Sequence, residues 1–144
     1  MINIMCFIMC GPPGSGKSTL SKQLADQNNA KLFCFDSLPN SHNPKYAESV
    51  RKQMWADIAE ELRAGQSIVC DDVHTKLKWR SGFLTTTADI PCKKVLVVMT
   101  TPLDECLQRN ANRKFRLPNL VVENSYKNME PPTLDEGFDE ILYY

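Results

Sequence analysis

Residues 11–18 read Gly11-Pro12-Pro13-Gly14-Ser15-Gly16-Lys17-Ser18, and no other stretch narrows the possible folds as sharply. The spacing G-x-x-x-x-G-K-[ST] needs a strand to deliver the chain and a helix to carry it away. Both flanks comply: residues 2–9 form an apolar run suited to a buried strand, and 18–27 suit a helix. Glycines permit positive φ and let the backbone come close to a bound group. Successive backbone N–H groups then make an anion cradle, and a helix beginning near Gly16 adds its positive end. In such a loop Lys17 reaches the β- and γ-phosphates and the Ser18 hydroxyl ligates Mg²⁺. The implied ligand is ATP or another nucleoside triphosphate with Mg²⁺, held by residues 11–18 and Thr19.

The rest of the chain alternates strand and helix signals. Residues 31–35 are a short apolar run and the expected second strand. Over 44–64, Tyr46, Val50, Met54, Ile58 and Leu62 recur every four residues, marking an amphipathic helix that Gly65 ends. Strands are predicted at 67–70 and 94–99, with a weaker helix over 75–87, whose threonines and Gly82 are poor helix formers. Pro102 and early acids open a helix to about 113, another is expected over 118–129, and a short strand over 137–143. Continuous apolar strands alternating with helices predict an α/β/α fold with a parallel five-stranded sheet, ligand at the carboxyl ends of the strands. Residues 1–144 are expected to form one domain.

Composition removes several classes. The formal net charge is zero, which gives no support for a strongly basic nucleic-acid binder. No apolar run approaches a membrane span and no basic segment precedes the first apolar run, so neither a membrane protein nor a signal peptide is expected. The six cysteines form no C-x-x-C pair and have no histidine cluster beside them, which argues against zinc. Cys6, Cys10, Cys34 and Cys70 fall in predicted strands as small hydrophobes, so a reduced, intracellular, cytoplasmic protein is expected.

Phosphoryl transfer to a hydroxyl also needs an acceptor base and positive charge on the moving phosphoryl. Asp36 directly follows the second predicted strand, where it could take a hydroxyl proton or merely cap a turn. Asp71 and Asp72 end the third strand, where a carboxylate would hold Mg²⁺. Asp71, first after the apolar run, is preferred to Asp72 as that ligand, and an ordinary acidic turn is the alternative. Arg109 and Arg113, four apart on a predicted helix, share a face. With Lys114 and Arg116 they could form a lid over about 109–118, or simply a solvated basic helix end. His74 is assigned no chemistry, Trp55 and Trp79 read as packing residues, and Tyr143-Tyr144 could stack on an adenine.

Several segments together resemble the polynucleotide kinase family of P-loop kinases, the 5′-hydroxyl kinases and their relatives. They are the glycine-rich loop, Phe35-Asp36-Ser37, Ile68-Val69-Cys70-Asp71, the run from Thr101-Pro102-Leu103 to Arg109-Asn110 with Arg113, and the tail Tyr126…Glu130-Pro131-Pro132…Glu136-Gly137-Phe138. The resemblance implies that Asp36 is the general base and that Arg113, with Arg109 one turn earlier, contacts the donor phosphates. It implies ATP-dependent transfer to a 5′-OH of RNA or DNA. Two departures stand out. Phage-type members carry an arginine just after the base, whereas this chain has Ser37-Leu38-Pro39-Asn40, leaving Lys45 or Arg51 as substitutes. Where the family has Asp-x-Thr-Asn, this chain has Asp71-Asp72-Val73-His74. The phosphatase motif D-x-D-G-[TV] of longer members is missing. A small-molecule or nucleoside kinase and a non-catalytic ATP sensor are the alternatives.

Overall fold

A computed structural model describes residues 3–114 and 116–144. Residue 2 of the first predicted strand and residue 115 of the predicted lid lie outside the described residues. Five strands, β1 (Met5–Cys10), β2 (Lys31–Cys34), β3 (Ile68–Asp71), β4 (Lys93–Val98) and β5 (Glu140–Tyr143), form one sheet in the order β2-β3-β1-β4-β5. Every neighbouring pair is parallel. The helices are α1 (Lys17–Asn28), α2 (Ala47–Arg63), α3 (Leu77–Thr86), α4 (Leu103–Ala111) and α5 (Asn119–Lys127). The expected fold class is therefore present, and no helix among the described residues is long and apolar enough to cross a membrane.

The period-2 geometry of a strand explains the continuous apolar runs, because both faces of this sheet are covered. Cys6, Ile8 and Cys10 of β1 join Leu96 and Val98 of β4 on one face, against Met54, Ile58 and Leu62 of α2 and Phe83 of α3. Phe7, Met9, Val95 and Val97 point the other way, against Leu24 and Ala25 of α1. α2 ends as the sequence predicts, with Gly65 at φ 87° and Gln66 N–H donating to the Glu61 carbonyl.

One expectation fails at the lid. α4 stops at Ala111, so Arg113 is not on the helix that carries Arg109. Asn112 and Arg113 instead donate their N–H groups to the carbonyls of Arg109 and Asn110 in tight turns. The side chain of Asn110 explains the stop. It is buried, donates to the Leu117 carbonyl (2.8 Å) and accepts from the Leu117 N–H (3.1 Å). An asparagine that bonds distant backbone in this way favours a chain that turns out of the helix.

Candidate active site

The glycine-rich loop leaves β1 between the carboxyl ends of β3 and β4. Gly11 N–H donates to the Val73 carbonyl, tying the loop to the segment after β3. Gly14 and Gly16 have φ of 81° and 92°, the left-handed region that glycine enters freely. A side chain on Gly14 would also run into the Cys106 carbonyl of α4, and one on Gly16 into the Arg109 guanidinium. The loop is thus packed beneath α4, and the Thr101 hydroxyl fastens the contact by donating to the Ser15 carbonyl at 2.7 Å.

In front of the loop lies a cavity of about 400 Å³. It gathers Lys17, Ser18, Asp36, Asp71, Arg109 and Arg113 from five separate segments. Pro13, Gly14, Gly16 and Thr19 also face it, while Gly11, Pro12 and Ser15 form the loop behind. Arg113 thus reaches the same space as Arg109, although from a turn and not from a helix.

Charge is held under tension here. Burial pulls the Lys17 ammonium below its ordinary pKa and Arg113 adds to this, while Asp71, Asp36 and Asp72 act in the opposite direction. Lys17 donates to the Pro12 carbonyl at 3.1 Å. Asp71 is displaced the other way. Burial raises its carboxyl pKa, aided by Asp36 and Asp72, against the Lys17 charge and a 2.9 Å hydrogen bond from the Ser18 hydroxyl. Lys17 would regain full charge beside an anion and Asp71 beside a cation. Ser18 and Asp71 together offer hard oxygen donors, the set that Mg²⁺ takes, so the residues fit the metal.

At the far end of the cavity Asp36 sits in a 3₁₀ turn (Phe35–Ser37) directly after β2. The turn keeps the carboxylate at the sheet's edge, exposed to the cavity, with His42 Nε2 3.7 Å from its Oδ1. Nothing in the sequence singled out His42, which lies in an exposed Asn/Pro-rich loop. Arg51 also lines this end, but it is engaged. Its Nε and one terminal NH donate to the two Asp72 oxygens at 2.6 and 3.1 Å. Its guanidinium carbon lies 4.2 Å from the Phe35 ring centroid and 4.6 Å from that of Trp79. Asp72 is therefore committed to Arg51, which leaves Asp71 as the carboxylate beside Ser18. Lys45 lies outside the cavity lining, its ammonium 5.4 Å from the Tyr46 ring centroid.

The residues after Asp72 are structural. His74 is fully buried at φ 46°, with Nδ1 2.7 Å from the Met9 carbonyl. Arg80 is buried too, donating to Glu136 (2.8 and 3.3 Å) and to the carbonyls of His74 and Glu130. Glu136 also accepts from the Thr133 N–H in a capping box. The Glu-Gly-Phe tail thus serves as a clamp on α3 and the segment after β3. Charge pattern alone could not pair Arg80 with a residue so far along the chain.

Comparison with known proteins follows the same lines. Residues 6–132 match the AAA domain family AAA_33. An L-seryl-tRNA(Sec) kinase of Methanococcus maripaludis is 27% identical over 143 residues, covering 94% of this chain. The chain spans 56% of that relative's length. Kti12 from Chaetomium thermophilum, solved with ADP-AlF3, superposes with a TM-score of 0.74 at 15% identity, covering 96% of this chain and 88% of its own. A fungal RNA kinase superposes with a TM-score of 0.72 at 16% identity, over 99% of this chain and 38% of its own. With the loop, the sheet order and the family match in agreement, the chain belongs to the AAA domain family AAA_33 and carries the P-loop kinase fold.

Proposed function

We propose that this chain is a phosphotransferase that moves the γ-phosphoryl group of ATP to an alcohol, and that the alcohol is carried on an RNA. The observation that carries the reading is the facing of Asp36 and Lys17 across one cavity. Asp36 accepts the proton of the acceptor hydroxyl, whose oxygen forms a bond to the γ-phosphorus as the bond to the β-phosphate oxygen breaks and ADP departs. Lys17 and the loop amides hold the phosphate tail. Arg109 and Arg113 lay positive charge on the moving group and exclude water. Ser18 and Asp71 would hold Mg²⁺, which would neutralise phosphate charge.

The RNA-borne acceptor rests on the resemblance to 5′-hydroxyl kinases and on relatives whose names specify seryl-tRNA and RNA as substrates. The preferred acceptor is the 5′-OH end of such an RNA, with 5′-OH DNA as the comparison polynucleotide. The engagement of Arg51 by Asp72 supports a second reading, a small-molecule or nucleoside acceptor, because it occupies a cavity-lining cation that could otherwise hold a substrate phosphate.

Transfer of labelled γ-phosphate to 5′-OH RNA, 5′-OH DNA, aminoacylated tRNA, nucleosides and polyols tests both readings. RNA acceptors are expected to be labelled, with KM rising steeply as salt increases. Salt-independent labelling of a small alcohol would favour the second reading. Asp36→Asn should reduce turnover by about 10²-fold or more while ATP binding persists. Magnesium-dependent ATP binding with no transfer to any acceptor would leave a nucleotide sensor instead.

A further inference from the structure

At the acceptor end of the cavity stands a nitrogen donor, His42, that the transfer step does not use. Its Nε2 is 3.7 Å from Asp36 Oδ1, and both side chains are more than half exposed and line the cavity. Arg51, at the same end, is engaged by Asp72, and Lys45 lies outside the lining. The loop that carries His42 is built to hold it there. It leaves the 3₁₀ turn of Asp36 and folds back through successive tight turns. Leu38 N–H donates to the Phe35 carbonyl at 3.0 Å, Ser41 N–H to the Leu38 carbonyl at 3.2 Å and Asn43 N–H to the Asn40 carbonyl at 3.1 Å. Asn40 has φ 66°, a left-handed conformation that asparagine enters more readily than most side chains. Ser41 is buried, and its hydroxyl donates to the backbone carbonyl of Asp36 itself at 3.4 Å. The neighbour of His42 is thus tied to the residue that bears the carboxylate, and the two backbones keep a fixed spacing although both side chains are exposed.

That spacing suits one shared oxygen. A carboxylate only accepts hydrogen bonds, so facing Nε2 it favours the ring tautomer with the proton there. The 3.7 Å gap is too long for a direct hydrogen bond, but two bonds of about 2.7 and 3.0 Å meeting at one oxygen span it in a bent arrangement. An alcohol oxygen has one proton to give and two lone pairs. Donating to Asp36 and accepting from His42 takes up the proton and one lone pair. The other lone pair is left for the γ-phosphorus. Asp36 alone would let the hydroxyl turn about a single bond, whereas a second contact fixes the direction of attack.

We propose that His42 is a further catalytic residue, which with Asp36 clamps the acceptor hydroxyl and selects the lone pair that attacks; this rests on the phosphotransferase reading and deepens it. Asp36 takes the hydroxyl proton. The oxygen forms its bond to the γ-phosphorus as the bond to the β-phosphate oxygen breaks, and ADP departs. His42 keeps its Nε2 proton throughout and donates it to the acceptor oxygen as a hydrogen bond. The clamp asks only for a hydroxyl, so it serves an RNA end and a nucleoside alike.

The test uses the whole chain with ATP and Mg²⁺, and a 5′-OH RNA oligonucleotide and a free nucleoside as acceptors. His42→Ala should lower kcat/KM for the acceptor about tenfold, while the Kd of ATP stays within about twofold by calorimetry. His42→Gln keeps an N–H donor and should recover about threefold or more of that loss. In an Asp36→Asn background His42→Ala should cost only about threefold or less, because the two groups act on one oxygen. Both His42 substitutions fall on an exposed side chain and should leave the urea midpoint unchanged. Wild-type transfer that His42→Ala leaves within about twofold would overturn the proposal and leave the transfer reading standing. So would equal losses in His42→Ala and His42→Gln, or a His42→Ala cost undiminished in the Asp36→Asn background. Absence of transfer by the wild-type chain to either acceptor would overturn both together.

Discussion

Arg51→Met puts the acceptor end of the cavity to a quantitative test. Arg51 and Asp72 are 9% and 5% exposed, so the substitution leaves a carboxylate buried without its bidentate partner. Breaking a buried pair from one side costs about 3–5 kcal/mol. Loss of the guanidinium from between Phe35 and Trp79 removes a further ~0.5–1 kcal/mol, partly restored by the methionine packing on the rings. A net loss of about 4 kcal/mol is a large share of the ~5–15 kcal/mol that holds a typical domain. It should lower Tm by roughly 12–16 °C at ~3–4 °C per kcal/mol for a chain of this size.

Urea titration at pH 7 measures that loss, and the double variant Arg51→Met/Asp72→Asn separates its causes. Asparagine removes the stranded charge and keeps an oxygen for the Val73 N–H, which Asp72 now accepts at 2.8 Å. At least half of the lost stability should return. Burial pushes the Asp72 carboxyl up, but protonated His74, Arg51 and the Val73 N–H hold it below the usual carboxylate range. Its contribution is therefore present above the unfolded pKa and disappears as pH falls through the folded one, a loss that Arg51→Met should weaken while His74 and the Val73 N–H remain. Because Arg51 lies on Phe35, the neighbour of Asp36, kcat should fall with little change in ATP affinity. A cost below 1 kcal/mol, or no recovery in the double variant, would refute the reasoning.

Three further outcomes are expected. Gly14→Ala forces a Cβ into the left-handed region and against the Cys106 carbonyl, so it should cost about 2–4 kcal/mol and weaken ATP binding more than tenfold by calorimetry. Burial holds His74 below its ordinary value of 6.5, so the folded state takes up its proton later than the unfolded chain as pH drops. Its contribution to stability is complete above that pH and declines below it, by up to about 1.4 kcal/mol per pH unit. His74→Asn should flatten the urea midpoint between pH 6.5 and 5, and an unchanged slope would assign the effect elsewhere. Asn110→Ala removes both bonds to Leu117 and should cost about 1–3 kcal/mol, lowering kcat more than it weakens nucleotide binding.

The sequence resolved the elements whose physics is local. Strands β1, β3 and β4 are buried on both faces, so they read as unbroken apolar runs, and α2 advertised itself through its four-residue spacing. The glycine-rich loop was legible because its geometry needs particular residues at particular places. Asp36, Asp71, Arg109 and Arg113 do meet in one cavity. What stayed hidden depends on contacts across the sheet. Arg51 follows Val50 of the apolar stripe in α2, and only folding places it on Asp72. Arg80 finds Glu136 in the same way. The sequence puts Arg113 on a helix because nothing local reveals that the Asn110 side chain will bond to Leu117 and turn the chain.

That asparagine has a mechanical consequence. Asn110 of α4 grips Leu117 just ahead of α5, so the two helices should rotate together and carry Arg109 and Arg113 toward a bound nucleotide at the same time. Amide exchange in α5 should then slow along with exchange in α4 when ATP is added. Slowing confined to residues 112–114 would mean that this grip opens first.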